Sequence, residues 1–275
     1  MSARKGRIPP DKCSSTEFMK CIWMISGNIA YKLCDRGYDC ERCPLDGALH
    51  QHKAKTISRP MGKVSLHEAE GPSSRAESSL EGSLLGSVEG FRLAPGIFYH
   101  RNHYWARVES AGQLRVGLDD FGQKVLGRVY SVTLPKCSSR TGVDDSCLRL
   151  AYQSGDVSLS VPFPGVVKQV NDRLEQHPSL VNQDPYGQGW LMVIQPESLE
   201  EGLKPLYYGD GAKAWLPEEI SGLKQMVSQL MEASRPQVGV TLQDGGTEIE
   251  DLAKIMSPAQ HRRIIGAFLG VPSPG

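Results

Sequence analysis

Alternating hydrophobic and polar positions between residues 98 and 135 predict a series of short β-strands. The stretches 103–110 and 113–118 flank Ala111 and Gly112, a pair of small residues typical of a hairpin turn. The stretch 128–134 alternates around Val129 and Val132 before Pro135 ends it. The central part of the chain is therefore expected to be mainly β.

Helical spacing of apolar residues appears on either side of this region. Ser14 and Glu17 form a capping-box pair, so a helix is expected to begin there, with Cys21 on its inner face. A second helix is predicted to begin with Pro217 at its first position. The expected inner faces are Phe18, Cys21, Ile22 and Ile25 for the first helix and Ile220, Leu223, Val227 and Leu230 for the second.

The C-terminal residues 235–275 predict two short helices. Thr247 with Glu250 makes one capping box, and Ser257 with Gln260 makes another, with Pro258 at the first helical position. The last helix gathers a short apolar face that is expected to pack on the protein's own domain, because so short a helix is unstable alone. That face consists of Ile264, Ile265, Phe268 and Leu269.

The composition of the chain predicts a linker and argues against nucleic acid and membranes as partners. Residues 53–90 contain no aromatic residue and few apolar ones, so they are expected to form a flexible tether. Thirty-one basic residues balance thirty-one acidic ones, which gives no overall field that favours nucleic acid or an anionic membrane. No apolar run approaches the roughly 18 residues of a membrane span. We expect a cytoplasmic protein.

Five of the seven cysteines lie between Cys13 and Cys43, a density that indicates a metal site. Cys40 and Cys43 are separated by two residues, so that a tight loop can turn both thiolates toward one ion. The natural third and fourth ligands are Cys34 and Cys21. Zinc is the preferred metal, and an iron-sulfur cluster is the alternative because Pro44 follows the last cysteine. The possible replacement ligands are Cys13, His50 and His52.

Two dense motifs give the central region a family resemblance. The first has the pattern of a His-x-Trp strand, a glycine hairpin, a Val-Gly-Leu-Asp-Asp-Phe step and a strand ending in Leu-Pro, and the second is the return segment 178–191. Both resemble the glycine cleavage H protein, a carrier that bears lipoic acid on one lysine. This resemblance implies a barrel-sandwich hybrid, mainly β with peripheral helices (α+β). The matching residues lie at 103–105, 112, 116–121, 126–127, 134–135, 162–167, 170–171 and 178–191.

The resemblance also implies where the lipoyl lysine should stand. Alignment on Pro162 and Gly165 places that residue at Ser154, in what is expected to be an ordinary polar turn. No lysine occurs between Lys136 and Lys168, so a small shift of the alignment does not restore one. A serine hydroxyl cannot form the amide that holds lipoate, and lipoylation is therefore not expected.

The expected organisation is a cysteine-rich metal-binding module at 1–52, the linker at 53–90, an H-protein-like domain at 91–234 and a helical extension at 235–275. No catalytic residue is predicted: His100, His103 and His177 are each expected at the surface or at a strand end. The leading hypothesis is a non-enzymatic adaptor that binds protein partners and carries a four-cysteine metal site. The alternatives are an iron-sulfur redox carrier or sensor and a true lipoyl carrier.

Overall fold

The computed structural model describes residues 20–25, 34, 36–57, 86–142, 147–232 and 252–271. Within these ranges no helix has both the length and the apolar character needed to cross a bilayer. The strands are β1 Gly86–Val88, β2 Phe91–Leu93, β3 Phe98–Tyr99, β4 Tyr104–Val108, β5 Leu114–Leu118, β6 Val129–Thr133, β7 Arg140–Thr141, β8 Leu148–Tyr152, β9 Gly155–Leu159, β10 Gly165–Val170, β11 Met192–Pro196 and β12 Tyr207–Tyr208. The α-helices are α1 Ile22–Ile25, α2 Pro44–Ile57, α3 Asp120–Leu126, α4 Arg173–Gln176, α5 Leu180–Gln183, α6 Leu199–Leu203, α7 Asp210–Glu232, α8 Leu252–Ile255 and α9 Pro258–Leu269.

The strands form antiparallel sheets around one hydrophobic core. A seven-stranded sheet has the order β12-β3-β4-β5-β11-β10-β7, a three-stranded sheet has the order β6-β8-β9, and β1 pairs with β2. Buried side chains from the two larger sheets, such as Val116 and Leu150, belong to the same core cluster. The fold is thus mainly β with peripheral helices, as predicted.

The two sequence motifs meet in space, which explains why both are needed for the fold. The indole N–H of Trp105 donates to the carbonyl oxygen of Pro185 at 2.9 Å. The hydroxyl of Tyr186 accepts from the backbone N–H of Asp120 at 3.1 Å and donates to the carbonyl of Arg92 at 2.6 Å. The return segment is therefore fastened to β4, to the start of α3 and to β2.

The predicted hairpin at Ala111 and Gly112 is confirmed. Both residues have positive φ, 56° and 69°, and they join β4 to β5. The predicted strand around Val129 and Val132 is also confirmed as β6.

The predicted start of the long helix at Pro217 is wrong. The helix α7 begins at Asp210 and contains Pro217 in its interior. Proline lacks the N–H that would bond to the carbonyl one turn earlier, which normally disfavours this position. Here Ala212, Trp215 and Leu216 are buried, so packing holds the turns around the proline in place.

The predicted inner face of the first helix is wrong in part. Cys21 is buried, but Ile22 and Ile25 are 51% and 67% exposed, and Trp23 is buried instead. The cause is a tertiary contact, since the indole N–H of Trp23 donates to a carboxylate oxygen of Asp46 at 2.7 Å. The predicted helix start at Ser14 lies outside the described residues.

The two ends of the described chain pack on the central domain. The cysteine-rich module was expected to end at residue 52, but α2 continues to Ile57 and contacts α6 and α7. At the other end, the predicted capping box of Ser257 and Gln260 begins α9. Ile264, Ile265 and Leu269 of α9 are buried, and the helix contacts α3 and α7. The predicted capping box at Thr247 and most of the predicted linker lie outside the described residues.

Candidate functional site

The strands β8 and β9 form a tight hairpin whose tip consists of Gln153 and Ser154. Tyr152 is paired with Gly155 across the hairpin, so only these two residues make the turn. Gly155 has a φ of 133°, a conformation that a residue with a side chain rarely adopts. Ser154 therefore lies in a polar turn, as predicted, and this is the position that the resemblance assigns to the lipoyl lysine.

The side chain of Ser154 is bound by α9. Its hydroxyl oxygen lies 2.8 Å from Nδ1 of His261, whose Nε2 lies 2.8 Å from the carbonyl oxygen of Val125. Because a carbonyl can only accept, Nε2 carries the proton, and in the neutral ring Nδ1 accepts from the Ser154 hydroxyl. Arg262 also donates to the carbonyl of Ser154 at 3.4 Å. The C-terminal helix thus covers one side of the hairpin tip.

Helical spacing in the sequence indicates that His261 faces inward, although a polar turn at Ser154 was predicted without a partner from α9. His261 lies three and four residues before Ile264 and Ile265, so it belongs to the same inward face of α9. It is fully buried and packs edge-on against the ring of Tyr152, with 5.4 Å between ring centroids. Its long-range partner at residue 154 could not be inferred from spacing.

Neither of the nearest lysines belongs to the β8–β9 hairpin. Lys168 is an exposed residue inside β10, and Lys136 is an exposed residue in the loop between β6 and β7. The expectation that neither residue stands at this tip agrees with the structure.

His103 lies at a strand end, directly before Tyr104 of β4, as expected, but it is not at the surface, because it is fully buried. Its Nδ1 lies 3.0 Å from a carboxylate oxygen of Asp119, and its Nε2 lies 3.7 Å from a carboxylate oxygen of Glu219. The ring stacks on Phe121 and Trp215, with centroid distances of 4.0 and 5.0 Å. A charged triad therefore crosses the core between β4, α3 and α7.

The carboxylates decide the protonation of His103. Burial acts to lower its pKa, but Asp119 and Glu219 act in the opposite direction and prevail, so the pKa of His103 lies above its ordinary value. Burial likewise acts to raise the pKa of Glu219, and the interactions with His103 and with the Trp215 indole prevail to lower it. His103 and Glu219 therefore stabilise each other's charged forms.

The other two histidines differ from each other. His177 is exposed, as expected. His100 is half-buried, and burial, followed by the charges of Arg101 and His103, lowers its pKa to about 4. It is therefore neutral at physiological pH.

All four predicted metal ligands lie around one small pocket. Its lining includes Cys21, Cys34, Cys40 and Cys43 together with Trp23 and Asp46. The backbone N–H of Tyr38 donates to the sulfur of Cys34 at 3.3 Å. In the described chain, however, no three cysteine, histidine or carboxylate side chains already stand at metal-binding distances.

The groups around Cys40 disfavour its thiolate form. Desolvation, then the Asp46 carboxylate and the other three thiols, raise the pKa of Cys40. A positive ion offsets such repulsion between thiolates.

The possible replacement ligands do not line the pocket of the four cysteines or lie outside the described residues. His50 is exposed and contacts Asp46 through Nδ1, at 3.0 Å from its carbonyl and 3.1 Å from its carboxylate. Cys13 lies outside the described residues, as does the side chain of His52. The six cysteines that the structure describes are free thiols, including Cys137 and Cys147.

Comparison with known proteins places the central region in a family. The family model described as "Glycine cleavage H-protein" matches residues 97–219. The probable glycine cleavage system H protein of Thermococcus kodakarensis is 34% identical over 119 residues, covering 43% of this chain and 88% of that protein. The glycine cleavage system H protein of Halorhodospira halophila is 36% identical over 103 residues, covering 38% and 79%. A solved structure of such a protein from Mycobacterium marinum is 27% identical, covers 37% of this chain and 84% of the other, and has a TM-score of 0.35. The chain belongs to the glycine cleavage H-protein family.

Proposed function

We propose that this chain is a non-enzymatic, H-protein-like adaptor that carries no lipoyl group. One observation carries the proposal: the side chain at the tip of the β8–β9 hairpin is a serine, and its hydroxyl is hydrogen-bonded to His261 of α9 at 2.8 Å. A serine offers no amine for an amide bond, and the helix occupies the space beside it.

Protein partners are supported by the family. The relatives are named as components of a glycine cleavage system, so their fold is used within an assembly of proteins. This chain keeps the buried motif contacts that build the fold, such as Trp105 with Pro185. We propose that it keeps a protein-binding role in the cytoplasm after losing the carrier chemistry.

The cysteine-rich module supplies the second part of the proposal, a metal site of Cys21, Cys34, Cys40 and Cys43. The common pocket of these four residues supports it. Zinc is the proposed ion, and an iron-sulfur redox carrier or sensor is the alternative. A lipoyl carrier of a glycine-cleavage-like complex is the lesser alternative, supported by the names of the relatives.

Intact mass spectrometry after co-expression with a lipoate ligase and supplied lipoate tests the absence of the lipoyl group. The H protein of Thermococcus kodakarensis, expressed with the same ligase, is the positive control. We expect the control to gain the mass of a lipoyl group and this chain to keep its unmodified mass. A lipoyl increment on any residue of this chain would overturn the proposal.

A further inference from the structure

The four cysteines lie where a bound ion would control the contact between the N-terminal module and the central domain. We propose that they hold one thiophilic metal ion of the zinc class, and that this ion fastens α2 onto α6 and α7. This inference rests on the metal site proposed above and adds its nuclearity and its structural role.

The four thiols form the ligand set of a single-ion site. Cys21, Cys34, Cys40 and Cys43 line one small pocket with a volume of about 10 Å³. Four thiolates around one zinc ion make a closed tetrahedral structural site, and four cysteines match that ligand set. A single ion of the zinc class is therefore the proposed occupant.

Two of the four thiols are joined directly to the start of α2. Cys40 opens a short 3-10 turn, Cys40–Arg42, and the carbonyl of Cys43 accepts from Gly47 in the first turn of the helix at 3.0 Å. Trp23, two residues after Cys21, donates to Asp46 in the same turn through its indole N–H. An ion bound to Cys21, Cys34, Cys40 and Cys43 would thus fix the beginning of α2.

The buried side chains in the described part of α2 lie in its first two turns, close to the cysteines. They are Leu45, Ala48 and Leu49, and the helix contacts α6 and α7. Ordering a 14-residue helix has a cost in conformational entropy, so an ion that fixes its first turn favours the docked state. A metal ion that binds only the folded module shifts the equilibrium toward the docked helix.

Hydrogen exchange measured by mass spectrometry on the full chain tests this coupling. The protein is compared with zinc bound, after chelation, and as the variant C40S/C43S, with C137S as the matched control because Cys137 is an exposed cysteine outside the pocket. We expect chelation and C40S/C43S to remove the protection of amides in α2 and to increase exchange in α6. Exchange in β4 and β5 should not change, which shows that the domain stays folded.

A second variant separates docking from metal binding. L45A/L49A should still bind one zinc per chain and yet lose protection in α2, because the apolar contact is removed while the thiols remain. Metal analysis after anaerobic purification is performed on every sample. If no metal binds stoichiometrically, the metal site itself is wrong. If the analysis finds iron together with sulfide, the proposal of a single zinc-class ion is wrong. If one zinc ion binds per chain but its removal leaves the amides of α2 and α6 equally protected, only the proposed link between metal binding and docking is wrong.

Discussion

His103 is the residue at which local sequence and final environment differ most. Its backbone has a φ of 59°, a left-handed conformation that asparagine tolerates better than most residues. Its two carboxylate partners come from α3 and α7, and Glu219 is distant in the sequence. The hydrophobic and polar pattern of the sequence cannot show that His103 and Glu219 are in contact, because only the tertiary packing of α7 brings them together.

The triad predicts that His103→Asn lowers the free energy of unfolding by about 3 kcal/mol near pH 6, because Asp119 and Glu219 lose their buried cation. Asparagine avoids added strain at the positive φ but also removes the ring that stacks on Phe121 and Trp215, so the pH dependence of the loss, rather than its size, reports on the charge. The pKa of His103 is raised on folding, so its contribution is complete below the unfolded value of 6.5 and is lost as the pH rises through the folded value. Urea unfolding from pH 6 to 9 should show the difference between wild type and variant shrinking.

Glu219→Gln tests the second carboxylate that faces His103. The pKa of Glu219 is lowered, so its contribution is complete above the ordinary pKa of a glutamate and is lost only as the pH falls through the folded value. The glutamine keeps an acceptor for the Trp215 indole and should show a smaller loss. A constant difference between wild type and His103→Asn across this pH range would show that His103 is not charged.

Ser154→Ala tests the contact at the hairpin tip. Removing the hydroxyl removes the hydrogen bond between Ser154 and Nδ1 of the buried His261, and we expect a loss of about 1 kcal/mol in the free energy of unfolding. The exposed Ser158 on β9 provides the control, since Ser158→Ala should change stability by less than about 0.5 kcal/mol. Equal effects of the two variants would mean that the bond to α9 contributes nothing.

At the scale of elements, spacing predicted β4, β5, β6 and α9, because each alternation or cap is complete within a few residues. The extent of α7 and the exposed face of α1 could not be predicted in this way. Pro217 lies inside its helix because buried neighbours hold the turns around it, and Trp23 turns inward because of Asp46. Tertiary contacts override local preference at both places.

The pairing of β4 with β5 depends on one glycine. Trp105 lies opposite Gly117, and a Cβ added to Gly117 would lie 2.7 Å from the indole nitrogen of Trp105. Gly117→Ala must therefore displace a side chain whose N–H is bonded to Pro185, and we expect a loss of about 2 kcal/mol.

Gly202→Ala is the control for Gly117→Ala, because it is expected to raise the stability of the protein. A Cβ at Gly202 in α6 meets nothing within 4 Å, so the substitution should stabilise the helix by about 0.5–1 kcal/mol. Thermal unfolding of both variants is sufficient, because the expected shifts in Tm have opposite signs. A Tm of Gly117→Ala at or above that of the wild type would contradict the packing described for Gly117.

At the scale of the whole molecule, the two motifs predicted the fold of the central region. The packing of α2, Pro44–Ile57, on α6 and α7 could not be predicted from the local sequence. The extension after residue 234 was expected to pack on its own domain, and α9 does so. It contributes Ile264, Ile265 and Leu269 to the same core cluster as the sheets.

The contact between α9 and the β8–β9 hairpin has a consequence for protein engineering. In the proposed non-lipoylated function, converting this chain into a carrier would take an amine at position 154 and the release of that side chain from His261. Moving α9 away from the tip would have a cost in stability, because it would also expose Ile264 and Ile265. A partner protein that approached the tip would meet α9 on one side of it.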